Sequence, residues 1–160
     1  MQLKVNRFVG MCAIGALLVL VGASLALTST SAQEDDANRQ LIEEGREIFR
    51  FDNFGDEVFW GGTLQLHQAI AGDQLGGVGP GVSPNTALSV GLKVDAEVLP
   101  TELVEQIRAG EVDLDDPATT LALLELNAVV GVTGFFDDAG NLESIGIQCA
   151  LCHSTVDDSF

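Results

Sequence analysis

The stretch VTGFFDDAGNLESIGIQCALCH, residues 132–153, decides the fold. Two apolar runs flank the segment DDAGN, and a cluster of turn residues between two such runs predicts a β-hairpin. The second arm of the hairpin leads directly to Cys149 and the motif CALCH. We therefore expect a mainly α fold, an irregular helix-rich domain whose one β-hairpin delivers the chain to a short helix that carries this motif.

Helices are predicted along most of the preceding chain. Apolar side chains recur at helical spacing from about Asp36, and the segment GGTLQLHQAIAG (61–72) is predicted as a helix that contains His67. Asp116 and Pro117 form the clearest helix start, since one can cap the helix and the other suits its first position. Between these helices, the Gly- and Pro-rich residues 72–86 predict a long loop without regular structure.

Two further predictions concern the ends of helices. The segment PTELVEQIRAG is predicted as a short helix that ends at Gly110, and the helix after Asp116 is expected to continue to Gly131. The carboxylates of DLDDPATT and FFDDAGNLESIG do not have the spacing of an EF-hand loop. We interpret the first group as a helix cap and the second as a turn, rather than as calcium sites.

The first 32 residues have the organisation of a secretory signal. Lys4 and Arg7 precede the uncharged, largely apolar run Phe8–Leu27, and small polar residues follow it. Cleavage is expected after TSA (30–32), with SLA (24–26) as an alternative. The apolar run is 20 residues long, so it could also span a bilayer as an uncut anchor. We expect a periplasmic or secreted protein that contacts a membrane only if this segment is retained.

The exported part is strongly acidic. All 24 acidic residues but only five of the seven Lys and Arg residues follow Ala32, which gives 5 − 24 = −19. This charge argues against nucleic acid and anionic membrane surfaces as partners, because both need cationic side chains. It permits docking to a basic partner protein, although solubility alone also accounts for it.

The motif Cys149-Ala-Leu-Cys152-His153 is typical of covalent haem attachment. Two thiols with two residues between them match the two vinyl groups of haem when the segment turns helically, and the next residue, His153, is then directed at the iron. We therefore predict haem c, with thioethers at Cys149 and Cys152 and with His153 as the proximal iron ligand.

Other chemistries are compatible with part of this pattern. A thioredoxin-like thiol pair would belong to a βαβ unit, and the sequence predicts none after the motif. A zinc site would need four ligands, and Cys149, Cys152, His153 and His67 could supply them, although adjacent Cys and His rarely bind one tetrahedral ion. Chance occurrence of the short motif is the third alternative.

Over most of residues 40–160 the sequence resembles the N-terminal half of larger bacterial secreted c-type cytochromes. The resemblance is carried by GREIFRFDNFGDEVFW…LHQAI and by GFFDDAGNLESIGIQCALCHSTVDDSF. In that family the chain continues well past the motif. The resemblance implies thioether attachment at Cys149 and Cys152 and iron binding by His153. We therefore expect a signal peptide or retained anchor at 1–32, a helix-rich acidic region at 33–140, and the incomplete start of a haem-binding domain at 141–160.

The sixth iron ligand has no obvious source in the sequence. A methionine usually provides it in this family, but Met1 and Met11 both lie within the predicted signal. His67 is the only other histidine and is therefore the distal candidate. An electron carrier with a redox partner protein is the leading hypothesis. The alternatives are a peroxidase-like oxidoreductase with an open iron site and a haem-free truncated fragment.

Overall fold

The computed structural model describes residues 34–157. The predicted signal or anchor at 1–32 lies outside the described residues. The chain divides into two compact units, Met1–Gly45 and Arg46–Phe160. A helix occupies 34–51 (α1), which confirms the helix predicted from about Asp36 onward. Its residues 34–45 belong to the first unit and are exposed throughout.

The second unit is mostly helical and contains one two-stranded antiparallel sheet, which confirms the mainly α class with a single hairpin among the described residues. Most of its elements are short, and their order in the chain is a π-helical turn Val58–Thr63, α2 Leu66–Ala71, a 3-10 turn Asp73–Leu75, α3 Pro84–Ser89, a 3-10 turn Ala96–Val98, α4 Thr101–Ala109, α5 Pro117–Glu125, β1 Val132–Phe136, β2 Leu142–Ile147 and α6 Ala150–His153.

The hairpin forms where the turn signal predicted it. Val132 lies opposite Ile147, and the register shifts between Phe135 and Phe136, next to the turn. Within the turn, the carboxylate of Asp137 accepts a hydrogen bond from the backbone N–H of Asn141 at 2.8 Å. The domain boundary expected between residues 140 and 141 falls inside this turn, and the two paired strands lie on either side of it.

The helix ends follow the local sequence signals, with one exception. The Asp116 carboxylate accepts the N–H of Ala118 at 2.9 Å and caps α5, and Gly110 adopts the left-handed conformation that ends α4. The expectation that α5 continues to Gly131 is wrong, because the helix ends at Glu125. Asn127 then takes a φ of 53°, which turns the chain toward β1.

The prediction of one helix over 61–72 is also wrong. A π-helical turn ends at Thr63, and α2 begins only after Gln65, whose φ is 53°. The cause is close packing on the hairpin: a Cβ at Gly61 would overlap the side chain of Ser144 on β2. The backbone around Gly61 is shaped by packing on the hairpin, so it does not form the regular helix that the spacing of apolar residues predicts.

The Gly- and Pro-rich segment 72–86 is more regular than expected. Backbone hydrogen bonds hold it against α2, for example from the N–H of Val78 to the carbonyl of Gln68 at 2.8 Å. Helix α3 begins within it at Pro84, where the Ser83 hydroxyl accepts the N–H of Thr86 at 3.3 Å. A cap and a proline at the first helical position therefore ended the loop earlier than its composition indicated.

The core of the second unit lies between α5 and the hairpin. Leu124 and Ile145 are each 2% exposed, and Ala128 is fully buried. All three belong to the main apolar cluster of the unit. The strand that precedes the CALCH motif is therefore part of the core of the unit. Within 34–157 no helix has both the length and the hydropathy needed to cross a bilayer.

Candidate functional site

The CALCH motif forms one exposed helical turn. Cys149 precedes the short helix α6, and the N–H of His153 donates to the carbonyl of Cys149 at 3.2 Å. Positions i, i+3 and i+4 of such a turn lie on one face. Cys149, Cys152 and His153 occupy these positions and are all exposed, and both thiols are free. The three reactive side chains are therefore presented together to solvent.

The opposite face of the same turn is buried. Ala150, between the two cysteines, is only 1% exposed, and Leu151 is half-buried against the main apolar cluster. Successive residues of a helix are about 100° apart, so Leu151 points away from the face that carries Cys149. The turn thus has a reactive outer side and an apolar inner side.

Three residues form what we call the seat of the motif turn: Gly131, Gln148 and Lys93. Gly131 accepts the N–H of Gln148 on its carbonyl at 3.0 Å and has a φ of 85°. A Cβ at Gly131 would overlap the backbone of Leu151. Only glycine combines this left-handed backbone with so close an approach of the helical turn.

Gln148 ties the turn to two other elements. Its side chain is 3% exposed, and Nε2 donates to the hydroxyl of Thr133 on β1 and to the carbonyl of Phe51 at 3.4 Å. A buried amide that satisfies its donors in this way fixes the local backbone, because losing a partner costs the desolvation of the remaining group. Gln148 therefore holds the residue immediately before Cys149 in place.

Lys93 completes the seat from the other end of the turn. Its half-buried ammonium donates to the carbonyl of Leu151 at 3.2 Å. Its backbone carbonyl accepts the N–H of Val130 at 2.9 Å, beside the isolated β-bridge between Val94 and Val129. The bridge links the segment that carries Lys93 to the residues that precede β1.

An apolar cavity of about 400 Å³ lies on the inner side of the turn. Leu151 contributes to its wall, whereas neither cysteine nor His153 does. A second cavity of about 540 Å³ is lined by Lys93 and by the residues that follow the motif. Six residues line both cavities, and they are Pro84, Leu88, Leu92, Lys93, Val94 and Leu123.

His67 lies on α2, away from the motif in the chain. It is half-buried, and its Nδ1 is a buried atom without a hydrogen-bond partner among the described residues. Its helix neighbours Leu66 and Ile70 line the first cavity, whereas His67 does not. A ring nitrogen in this state leaves the imidazole without the second hydrogen bond that normally orients a metal-ligating histidine.

The four-ligand zinc arrangement is not assembled among residues 34–157. Within that range no three His, Cys, Asp or Glu side chains converge closely enough to hold a metal ion. The side chains of Cys149, Cys152 and His153 lie on one face of the turn, but they do not converge closely enough to bind one metal ion. A tetrahedral zinc ion would need four donors that meet at one point.

Comparisons with protein-family models, with curated proteins and with solved structures found no match to this chain. Interpretation of the site therefore depends on the motif and its surroundings. Sequence reasoning identified the outer face of the turn but missed Gly131, Gln148 and Lys93 as its seat. One feature of the sequence could have indicated Lys93, since it is the only lysine after the predicted signal peptide.

Proposed function

We propose that this chain is an exported c-type haem protein that attaches haem at Cys149 and Cys152 and transfers electrons. The observation that carries the proposal is the exposed turn on which both thiols and the His153 imidazole share a face. A buried seat holds that turn, so the three groups are presented in a fixed arrangement. Functional groups placed on a rigid element retain the geometry that their chemistry needs.

Each residue of the turn has a separate role in this proposal. The thiols of Cys149 and Cys152 would hold the haem as two thioethers, each formed by addition of S–H across one vinyl group, and the imidazole of His153 would hold the iron. The bound group supplies a one-electron ferric–ferrous couple whose potential depends on axial ligands, burial and nearby charge.

The acidic surface bears on the partner in this function. With a net charge of −19 after Ala32, the exported chain favours a basic redox partner through long-range attraction. The same negative charge stabilises ferric over ferrous iron and lowers the reduction potential. We expect the rate of electron exchange with a basic partner to fall as ionic strength rises, because salt screens exposed charges.

Covalent attachment is tested by expression in a host that matures haem c. We expect a pyridine haemochrome spectrum and a mass increase of one haem that survive acid–acetone extraction. Cys149→Ser and Cys152→Ser should each remove one of the two thioether bonds. Cys12→Ser is the matched control, since this cysteine lies in the predicted signal and should leave the haem content unchanged. Wild-type protein without covalent haem would refute the proposal.

A peroxidase-like oxidoreductase is the second candidate, and the state of His67 favours it. Because Nδ1 of His67 is buried without a partner, His67 lacks the orienting hydrogen bond expected of an iron ligand. Iron held by His153 as its single protein ligand would be high-spin and open to small molecules. A high-spin ferric spectrum that is unchanged in His67→Ala supports this candidate. A low-spin spectrum that becomes high-spin in His67→Ala supports electron transfer with His67 as the sixth ligand.

Export is a separate part of the proposal. Fractionation of the expressing cells should place the haem-loaded chain in the periplasm or the medium. Sequencing of its N-terminus should begin at Gln33 if TSA is the cleavage site, and an intact N-terminus in the membrane fraction would indicate a retained anchor.

A further inference from the structure

We propose that Lys93 is the positioning residue of the motif turn and that its positive charge raises the reduction potential of iron bound there. This inference rests on the proposed haem attachment. It adds a residue that lies 56 positions before Cys149 in the chain and belongs to a different element.

The first step of the argument is the position of the ammonium. Its Nζ lies 3.2 Å from the carbonyl oxygen of Leu151, the residue directly before Cys152. The exposed carbonyls at the C-terminal end of a helical turn carry partial negative charge, so a cation there is favourable. Lys93 therefore binds the backbone of the turn and opposes its unwinding at the C-terminal end.

The second step is the attachment of Lys93 itself. Its carbonyl receives the N–H of Val130 at 2.9 Å, and its neighbour Val94 pairs with Val129, which is 7% exposed. The backbone that carries the ammonium is thus anchored to the core. A half-buried, backbone-anchored cation keeps a fixed position and is screened by salt less than an exposed one.

The third step concerns the charge balance around the turn. Among residues 34–157, Lys93 is the only cation in the walls of either cavity. The wall of the second cavity also contains the carboxylates of Asp95, Glu97 and Asp157. Asp95 forms an ion pair with Arg50 at 3.5 Å. Oxidation adds a positive charge to iron, so a fixed cation beside its attachment turn disfavours the ferric state. Lys93 thereby offsets part of the negative field of the chain.

The experiment compares wild type, Lys93→Met, Lys93→Arg and Arg108→Met as haem-loaded proteins by redox titration at constant pH and salt. In Lys93→Met we expect the ferric-to-ferrous ratio at a fixed ambient potential to rise about threefold or more, which is about 28 mV for a one-electron couple. Lys93→Arg should match wild type. Arg108→Met removes one exposed positive charge from the end of α4 and should have a clearly smaller effect.

Two results would overturn the role of the charge. One is a potential in Lys93→Met that equals that of wild type or of Arg108→Met. The other is an equal shift in Lys93→Met and Lys93→Arg, since this would assign the effect to packing. If Lys93→Met does not fold, Lys93→Gln replaces it with the same expected direction.

The positioning role has a readout that needs no haem. In haem-free protein, Lys93→Met should speed hydrogen exchange of the His153 amide, which is bonded to the Cys149 carbonyl, whereas Arg108→Met should not. Unchanged exchange would refute positioning by Lys93. Absence of covalent haem in wild type would instead refute the proposed function and with it the effect on the potential, while faster exchange in Lys93→Met would still establish the anchoring contact.

Discussion

The carboxylate of Asp56 accepts a hydrogen bond from the backbone N–H of Ile147, with Oδ1 3.0 Å from the amide nitrogen. Its Oδ2 also accepts the indole N–H of Trp60 at 2.9 Å. One half-buried side chain thus joins the turn before the π-helical segment to the last residue of β2, two positions before Cys149. The motif turn depends on a contact that spans 91 residues of sequence.

Asp56→Ala should destabilise the second unit by about 2–3 kcal/mol, because hydrogen bonds to charged groups contribute about 1.5–3 kcal/mol. Denaturant unfolding followed by Trp60 fluorescence measures this change. Asp52→Ala is the control, since Asp52 accepts only the nearby N–H of Phe54 and is exposed. An equal loss of stability in both variants would contradict a special role for the Asp56–Ile147 contact.

Gly131→Ala should be more destabilising than Gly140→Ala, although both glycines have nearly the same φ, 85° and 84°. The left-handed backbone costs each variant about 1–2 kcal/mol. At Gly131 the added Cβ also overlaps Leu151, whereas nothing lies within 4 Å of it at Gly140. Overpacking of this kind adds about 1–3 kcal/mol.

The difference in stability between Gly131→Ala and Gly140→Ala gives the cost of the close approach of the motif turn to Gly131. Thermal unfolding in parallel measures it, and the haem content of Gly131→Ala should fall if the seat positions the thiols. Equal stability of the two variants would show that the turn can move away without cost.

The hairpin turn should contribute stability that depends on acid pH. Hydrogen bonds to Asp137, first from the side chain of Asn141 and then from backbone N–H groups, lower the pKa of its carboxyl from the ordinary 3.8. A group with a lowered folded-state pKa stabilises the fold above its unfolded pKa, and this stability is lost as the pH falls through the folded value. The contribution of Asp137 should therefore be constant at neutral pH and decline below pH 3.8.

Asn141→Ala tests this dependence, because it removes the side-chain bond from Nδ2 to Asp137 Oδ2 at 2.8 Å. We expect the pKa of Asp137, followed by NMR, to rise toward its ordinary value. The stability difference from wild type should shrink at acid pH. A difference that persists unchanged well below pH 3.8 would assign the effect to the turn backbone instead.

Both thiols of the motif should react rapidly in folded, haem-free protein. Cys149 and Cys152 are exposed and free, so a water-soluble thiol reagent should modify both without denaturant, under reducing pretreatment. In haem-loaded protein neither should react, because each sulfur is then a thioether. Slow modification that accelerates only with denaturant would show that the turn is covered in solution.

Local signals predicted those parts of the fold that depend on neighbouring residues in the sequence. Asp116 and Pro117 specify the start of α5 by themselves, and the residues around Asp137 specify the turn of the hairpin. Gly61 shows where this reasoning fails, since its backbone follows a strand more than 80 residues later in the chain. Such long-range packing overrides helical periodicity, and it left the π-helical turn unforeseen.

The candidate site likewise has one part that local sequence specifies and another that depends on long-range packing. The outer face of the turn is encoded by five adjacent residues and could be read directly from the sequence. Its inner face depends on Gly131 and Lys93, which reach the turn only through the tertiary fold. In the sequence alone, a lone lysine and a glycine before a strand give no indication that they contact the motif turn.

The burial of Ala150 between two exposed cysteines has a consequence for the order of events during biogenesis. The turn anchors itself through its backbone and its small central side chain, while its sulfur atoms stay outside. Folding of the hairpin and modification of the thiols therefore do not compete for the same surface. Under the proposed haem attachment, a maturation enzyme would meet a chain whose core is already complete, and folding would not depend on the cofactor.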